Sequence, residues 1–553
     1  MMMAAVALMA QDRTVERTYV TTDRDTYVAG DRVWCSAFCI DASTGRLSKV
    51  SSTAYLELHS AEGLAQTAKI ELVDGRGAGC ITLSGTLPTG NYRLLAYTAQ
   101  NKAEAGFDCN ALTSRTISVF NVLSRNRVKD GVEVIEDAEY ATLEKPQPVQ
   151  AGNLTVEAGP AENGTIPVTV RNNGAAATLS VSIFHEDGVA HPVNASVGDF
   201  ISAARKVGPK TFAPASFPEY EGEVIRGYVA GASAGNVSAL AGKYAFISAP
   251  GDAFDIYASR IDSAGRVSFF TGNIYGDRDL VCEIEGVDSM LACHLELEKP
   301  FIGAEVTAPQ TLKLSSAIAD ALKARGAAMQ IERRFCSDTL LDLLRLRNNS
   351  LLGEDCRSYI LDDYTRFPLM KEVFVEFIPE IRAERVSRDN RTLQVRLKNG
   401  LGDSGFSKDS SLILLDGVPV FDHNRIYNYS PLLVKRIDAY EATHYIGDRS
   451  FDGVANFVTY KGNLPSMTFS GNVRVISFQG VSYPQAYTGA SLPSDYPDYR
   501  QTIYWHPLVE VPAGASVHVP CRLPSYAGDF VIVVEGMAAD GAPVTATASF
   551  STR

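Results

Sequence analysis

The chain has 553 residues, a net charge of −13, and 45% hydrophobic against 21% charged residues. Single cores stop growing at about 250–300 residues, so this length calls for several domains. No basic cluster of five or more residues occurs, which disfavours an extended nucleic-acid or anionic-membrane surface.

The first ten residues, MMMAAVALMA, are apolar and give way abruptly to Gln11-Asp12-Arg13. This is the pattern of the end of a secretory signal, and export is the expectation. No run of 18 apolar residues occurs elsewhere, so no membrane-spanning helix is expected. Nine cysteines (Cys35, Cys39, Cys80, Cys109, Cys282, Cys293, Cys336, Cys356, Cys521) are too sparse for a disulfide scaffold, and their odd number leaves at least one thiol without an intrachain partner. Cys282 with Cys293, and Cys336 with Cys356, remain open as bridges. Cys35 and Cys39 share one face of a strand about 13 Å apart, too far to bridge. The 44 glycines, 25 prolines and recurring turn signals favour many short strands.

From Thr18 to Val122 the pattern is all strand, with Asp31 to Ile40 the clearest alternation, and about seven strands make a β-sandwich over residues 12–122. Residues 123–151 read as a charged linker ending in Glu144-Lys145-Pro146-Gln147-Pro148. Strands resume at Leu154, Ile166 and Ala177, giving a second sandwich over 152–215 with a helical connector near Gly198 to Lys206. A third sandwich occupies 216–308. After Pro309 the leucines fall at helical spacing (Leu312, Leu314, Ile318, Leu322; then Leu340, Leu341, Leu343, Leu344, Leu346), so 309–384 reads as a helical insert and lead-in. Residues 385–465 form a small α+β domain, and 466–553 return to strands as a C-terminal sandwich.

Two resemblances sharpen this. Thr22-Asp23, Tyr27, Gly30-Asp31-x-Val33-Trp34, Leu47 to Val50, Leu87-Pro88-x-Gly90-x-Tyr92-Arg93 and Ala96-Tyr97-Thr98 together resemble the second macroglobulin domain of the alpha-macroglobulin family. That family usually has prolines where this chain has Asp25 and Ala29. The motif implies architecture rather than catalysis. The third sandwich is similar both to macroglobulin domains and to carboxypeptidase-regulatory-like modules. Ser411 to Asn463, with its Asp416-Gly417-Val418-Pro419 turn, the strand Val434 to Tyr440 and the closing strand Ala455 to Tyr460, resembles the core of the plug domain of TonB-dependent outer-membrane receptors. The combination resembles Bacteroidetes-type proteins that carry macroglobulin domains with a plug segment and no barrel. The chain lacks the run of about 20 alternating strands that a receptor barrel needs, so the plug-like unit has no barrel of its own to gate.

Chemistry is thinly signalled. The Cys-Gly-Glu-Gln thioester of the macroglobulin traps is missing, as are Gly-x-Ser-x-Gly, His-Glu-x-x-His and a phosphate-binding loop. The eight histidines show no ligand spacing, so no metal and no cofactor are expected. Asp362-Asp363 reads as a helix cap rather than a calcium ligand pair. Asp416 and Asp422 flank a loop, but Asp416-Gly417 is a hairpin turn signal that accounts for itself. Tyr427, Tyr429, Tyr440, Tyr445 and Tyr460 crowd the α+β domain, and exposed tyrosines bury much area at small entropic cost, which makes these five the candidate interaction surface. The expected fold is mainly β: tandem macroglobulin/immunoglobulin-like β-sandwiches with a helical insert and a small α+β plug-like domain. The expected role is a non-enzymatic, exported scaffold or adaptor in the periplasm or at the outer membrane, docking on an outer-membrane or envelope protein. The alternative is a peptide- or glycan-binding protein that uses grooves between its sandwiches.

Overall fold

A computed structural model describes residues 14–552 except 125–127, 129–130, 144–149, 152, 214–216, 232, 288–292, 336–340, 345–351, 354, 387–391, 399–404 and 408–410. The signal-like residues 1–10 and Cys336 lie outside the described residues. The architecture is mainly β, in tandem sandwiches, as the strand-rich pattern implied. The chain divides into two units: Met1–Gly222, Phe301–Leu346 and Val481–Arg553 form one, and Glu223–Pro300 with Arg347–Gly480 the other.

In the first unit, a sheet of Glu16–Thr22, Arg32–Asp41 and Arg76–Thr82 faces a five-stranded sheet of Thr26–Val28, Ser114–Phe120, Gly90–Tyr97, Thr53–Ser60 and Gly63–Glu71. Val33, Cys35, Ala37 and Cys39 point into the core between them, against Leu56, Leu94 and Ile117. Tyr92 of the Leu87 to Arg93 motif forms a corner: its hydroxyl donates to the Pro88 carbonyl at 2.8 Å, closing the Pro88–Gly90 turn. Alternation predicts a wet second face for Arg32–Asp41, yet Trp34, Phe38 and Ile40 are buried as well. They are covered by Trp505, Tyr487, Met537 and the connector helix Val197–Ala204, whose Phe200 and Ile201 pack on Tyr19 and Phe38.

The separate second and C-terminal sandwiches expected over 152–215 and 466–553 are one sandwich, split in sequence. Thr165–Asn172 lies between Leu154–Ala158 and Ser516–Arg522, while Ala177–Glu186 lies between Thr502–Val511 and Asp529–Ala538, with Pro543–Ser551 beyond. The physical reason is arithmetic of cover. Three strands around Val156, Val168 and Ile183 cannot enclose a core, and the late strands carrying Ile503, Val519, Ile532 and Val534 supply the missing walls.

The helical insert also needs correction. Leu312–Leu314 is a strand, parallel to Val132–Val134 in the segment read as linker, and the helix runs over Ala319–Phe335 instead. Asp342–Leu343 is a short strand against Gln485–Ala486, not part of a leucine helix. In both stretches apolar residues recur at a spacing that suits either period over so few positions.

The second unit holds the third sandwich and the α+β domain. Arg266–Phe270, Val224–Ala230 and His294–Leu297 face Asp255–Arg260, Tyr244–Ala249, Asp277–Ile284 and Arg474–Gln479, the last strand drawn from the stretch assigned to the C-terminal sandwich. The α+β domain begins at Arg357 rather than 385. Its mixed sheet runs Arg357–Ile360, Val434–Ile446, Arg449–Thr459, Leu412–Leu415, Val418–Pro419, with Leu412–Leu415 parallel to Arg449–Thr459. The helices Met370–Phe377 and His423–Tyr427 cover one face through Val373, Phe374 and Ile426. Cys282 and Cys293 are both buried and are not bridged to each other.

Candidate docking face

The Asp416-Gly417 turn shows first how the α+β domain is built. Both residues have positive φ (49° and 84°), the geometry of the two-residue turn that joins strands of normal twist. Asp416 is fully buried, and its carboxylate accepts from the Thr459 amide at 2.7 Å, the Thr459 hydroxyl at 2.8 Å and the Leu464 amide at 2.8 Å. Its oxygens are committed to holding the turn. Asp422 caps the short helix His423–Tyr427, accepting from the Asn424 amide at 3.1 Å.

Two parts of the domain are used up within the unit. The Asp416 carbonyl accepts from the Gly251 amide at 3.1 Å, and a Cβ at Gly417 would fall 2.2 Å from Phe254. The hairpin tip is similarly seated: a Cβ at Gly447 would fall 2.7 Å from the Ala258 carbonyl oxygen, and Arg449 pairs with Glu285 at 3.0 Å while its guanidinium covers Phe451. Between these points Leu412, Leu414, Tyr440, Ile446 and Val454 form one apolar core with Phe246 and Ile256 of the third sandwich.

The five tyrosines therefore divide. Tyr429 and Tyr440 are each 8% exposed and belong to apolar cores, and Tyr427 is half-buried against Phe374. Burial pushes the Tyr429 hydroxyl up to about 12 and raises Tyr440 further. Tyr445 and Tyr460 are exposed, at 69% and 51%. Tyr460 stands out because it is exposed and also fixed. Its hydroxyl donates to Asp362 at 2.5 Å, Arg366 lies over its ring at 6.0 Å, and its amide donates to the Leu433 carbonyl. The Asp362 hydrogen bond raises the Tyr460 phenol above its ordinary range.

Sequence reading missed the surroundings of Tyr460. Arg366 donates to the carbonyls of Pro431 and Val434, which brings the 361–367 segment beside the Pro431–Leu433 turn. Leu432 and Tyr364 are exposed there, and Tyr364 stacks on Phe377 with ring centroids 4.7 Å apart. Leu369 and Val375 add exposed apolar side chains at the start and on the outer side of Met370–Phe377, with Val375 73% exposed. Asp362 is not the helix cap expected of it. It sits inside the turn Leu361–Asp363 and is spent on Tyr460 and Arg366. The signal that finds this face is the exposed Leu369 and Val375 out of phase with the buried Met370, Val373 and Phe374.

Among the described residues, no group of three or more His, Cys, Asp and Glu side chains is placed to hold a metal ion. None of the described helices is long and apolar enough to cross a membrane.

No protein-family model matches the chain, and no curated protein matches it. Among solved structures, the chain is similar to the trypsin-activated alpha-2-macroglobulin of Escherichia coli, at 10% identity over 97% of this chain and 41% of that one, with a TM-score of 0.24. It is similar to Salmonella alpha-2-macroglobulin reacted with methylamine at 10% identity, 98% and 24% coverage and a TM-score of 0.16. Dimeric latent PorU of Porphyromonas gingivalis aligns at 9% identity, 52% and 33% coverage and a TM-score of 0.18. The chain thus spans about two fifths of the first of these proteins.

Proposed function

We propose that the chain is a non-enzymatic, exported scaffold or adaptor that docks through its plug-like α+β domain on an outer-membrane or envelope protein, with its macroglobulin-like sandwiches as supporting modules. One observation carries the reading. Tyr460 is exposed yet held rigid by Asp362 and Arg366, with Leu432 and Tyr364 exposed beside it. A fixed aromatic anchor loses little entropy on binding, and anchors of this kind carry most of the energy at protein interfaces. The turn at Gly417 and the hairpin tip at Gly447 pack on the third sandwich, whereas the Tyr460 region is exposed, which supports the reading.

The test is site-specific photo-crosslinking in intact envelopes, with the probe at Leu432 or Val375. The expected result is one product with an envelope protein, lost on Tyr460→Ala while the melting temperature is unchanged. No product, or an equal product from a probe at exposed Glu157 in the other unit, would count against the reading.

The alternative, a binding protein that uses a groove between sandwiches, has one observation in its favour. The first unit contains a cavity of about 180 Å³ where the first and the split sandwich meet, with Trp34 and Tyr487 in its wall.

A further inference from the structure

The cavity is built from three parts of the first unit. Asp23, Arg24, Gly30, Asp31, Arg32, Trp34 and Thr82 come from the first sandwich, Met329, Glu332 and Arg333 from the helix Ala319–Phe335, and Tyr487 and Thr502 from the late chain. The first group contains the very motif, Asp23 to Trp34, that sequence reading assigned to architecture alone.

Its inner wall carries fixed charges. Asp23 is 1% exposed and its carboxylate is saturated, accepting from the Tyr27 hydroxyl at 2.7 Å, the Trp34 amide at 3.0 Å and the Thr502 hydroxyl at 2.5 Å. Arg24 is 7% exposed and lies 3.5 Å from Asp23, while donating to Asp31 Oδ2 at 2.9 Å and to the Thr26 carbonyl. Asp31, also 7% exposed, accepts at the same Oδ2 from the Val28 amide, and its Oδ1 takes no hydrogen bond from any described residue. Asp23 and Asp31 share the single guanidinium of Arg24, and burial pushes the Asp23 acid up, so the charge left open to a ligand is on Asp31. Glu332 adds another carboxylate near Asp31; burial together with the Asp31 charge pushes its acid up to about 7, against the opposing pull of Arg24, Arg500 and the Tyr487 hydroxyl. A buried charge of this kind is unfavourable until a proton or a cation offsets it.

The rim has the opposite sign. Arg32 lies over the Trp34 ring at 5.8 Å, and Arg333 is exposed on the last turn of the helix. Gly30 lets that helix close in: at φ +101° it has no Cβ, which would otherwise stand 3.0 Å from Met329 Sδ and 3.2 Å from Arg333 Nη1. The aromatic faces, by contrast, are already taken. Trp34 stacks on Trp505 and Tyr487, and Arg500 covers Tyr487. A sugar ring would find no free platform here.

We propose that this cavity binds a small α-ammonium compound, a free amino acid or the amino terminus of a peptide. The ammonium lies between Asp31 Oδ1 and Glu332, and the neighbouring carboxylate or carbonyl oxygen faces Arg333 at the rim. The charges match in order, negative inside and positive outside, and such a ligand meets both without adding net charge.

Titration calorimetry on the full chain tests this with glycine, alanine, lysine, alanyl-alanine and N-acetyl-alanine. The expected result is binding of the free α-amino compounds in the micromolar to millimolar range, no binding of N-acetyl-alanine, and affinity that falls as pH drops through 7 and Glu332 takes its proton. Equal binding of alanine and alanyl-alanine identifies a peptide terminus, and loss with the dipeptide identifies a free amino acid. Glu332→Gln is expected to weaken binding by about tenfold or more without lowering the melting temperature, since Glu332 is a partly buried acid raised by its surroundings. N-acetyl-alanine binding as well as alanine, wild-type affinity in Glu332→Gln, or no binding of any compound at about 10 mM overturns the assignment.

Discussion

Substituting Gly417 by alanine tests whether the Asp-Gly turn is structural, because two costs there are separable. The first is backbone strain. Gly417 sits at φ +84°, where a side chain costs about 1–2 kcal/mol. The second is a collision: the new Cβ falls 2.2 Å from both Cβ and Cγ of Phe254, and forcing such a contact in a packed core costs about 1–3 kcal/mol. Alanine also stiffens the unfolded chain, returning about 0.4–1 kcal/mol. The net expectation is a loss of about 2–4 kcal/mol. Gly462→Ala is the matched control. It shares the strain at φ +61° but meets nothing nearer than Gly251 Cα at 3.8 Å, so only about 0.5–1 kcal/mol is expected. The measurement is hydrogen exchange by mass spectrometry over residues 411–463 at increasing urea, which reads the opening free energy of this domain. If the two variants agree within about 0.5 kcal/mol, the turn is not locked against Phe254 and the reasoning fails.

The remaining predictions concern titration and chain length. His423 is buried and accepts from the Val395 amide at 2.9 Å, and burial holds its imidazole down at about 4. The unfolded chain takes up that proton near 6.5, before the folded one does, so stability is lost as pH falls from about 6.5 to 4. Urea midpoints across that window are expected to fall by up to about 3 kcal/mol in free energy, and His423→Gln is expected to flatten the limb. Ending the chain at Gln501 removes Thr502–Val511, Ser516–Arg522, Asp529–Ala538 and Pro543–Ser551, four strands of the split sandwich. Limited proteolysis is then expected to cut within Leu154–Glu186, and survival of that stretch would refute the split assignment.

The strands of the first sandwich were legible because their signals are local. Tyr92 closes on Pro88 four residues away, and the Asp416-Gly417 turn joins adjacent strands. The split sandwich was not legible for the opposite reason. Ser182 pairs with Trp505 and Arg171 with Ser516, more than 300 residues away, and no periodicity in either stretch encodes its partner. The same limit applies to the cavity. The Asp23 to Trp34 motif was visible, but Glu332 and Tyr487 come to it from distant segments, so its charges looked like turn chemistry alone. Tyrosine content could not separate Tyr460 from Tyr440, because both fall in or beside sheet strands and only the third sandwich decides which is covered.

These facts join in the order in which the chain can become complete. The first unit is interrupted twice, at Gly222 and Leu346, by segments that belong to the second. Its early strands Leu154–Ala158, Thr165–Asn172 and Ala177–Glu186 wait for the last 50 or so residues before their apolar faces are covered. The second unit waits less: once Arg474–Gln479 has paired with Asp277–Ile284, all its described strands are present. The α+β domain, with its exposed Tyr460 region, is therefore finished before the cavity, since Tyr487 and Thr502 arrive only with the closing strands. Long-range pairings of this kind are slow to form, because loop closure comes before any contact is gained. The Tyr460 region and the cavity therefore become complete at different points along the chain, the cavity only once Tyr487 and Thr502 are in place.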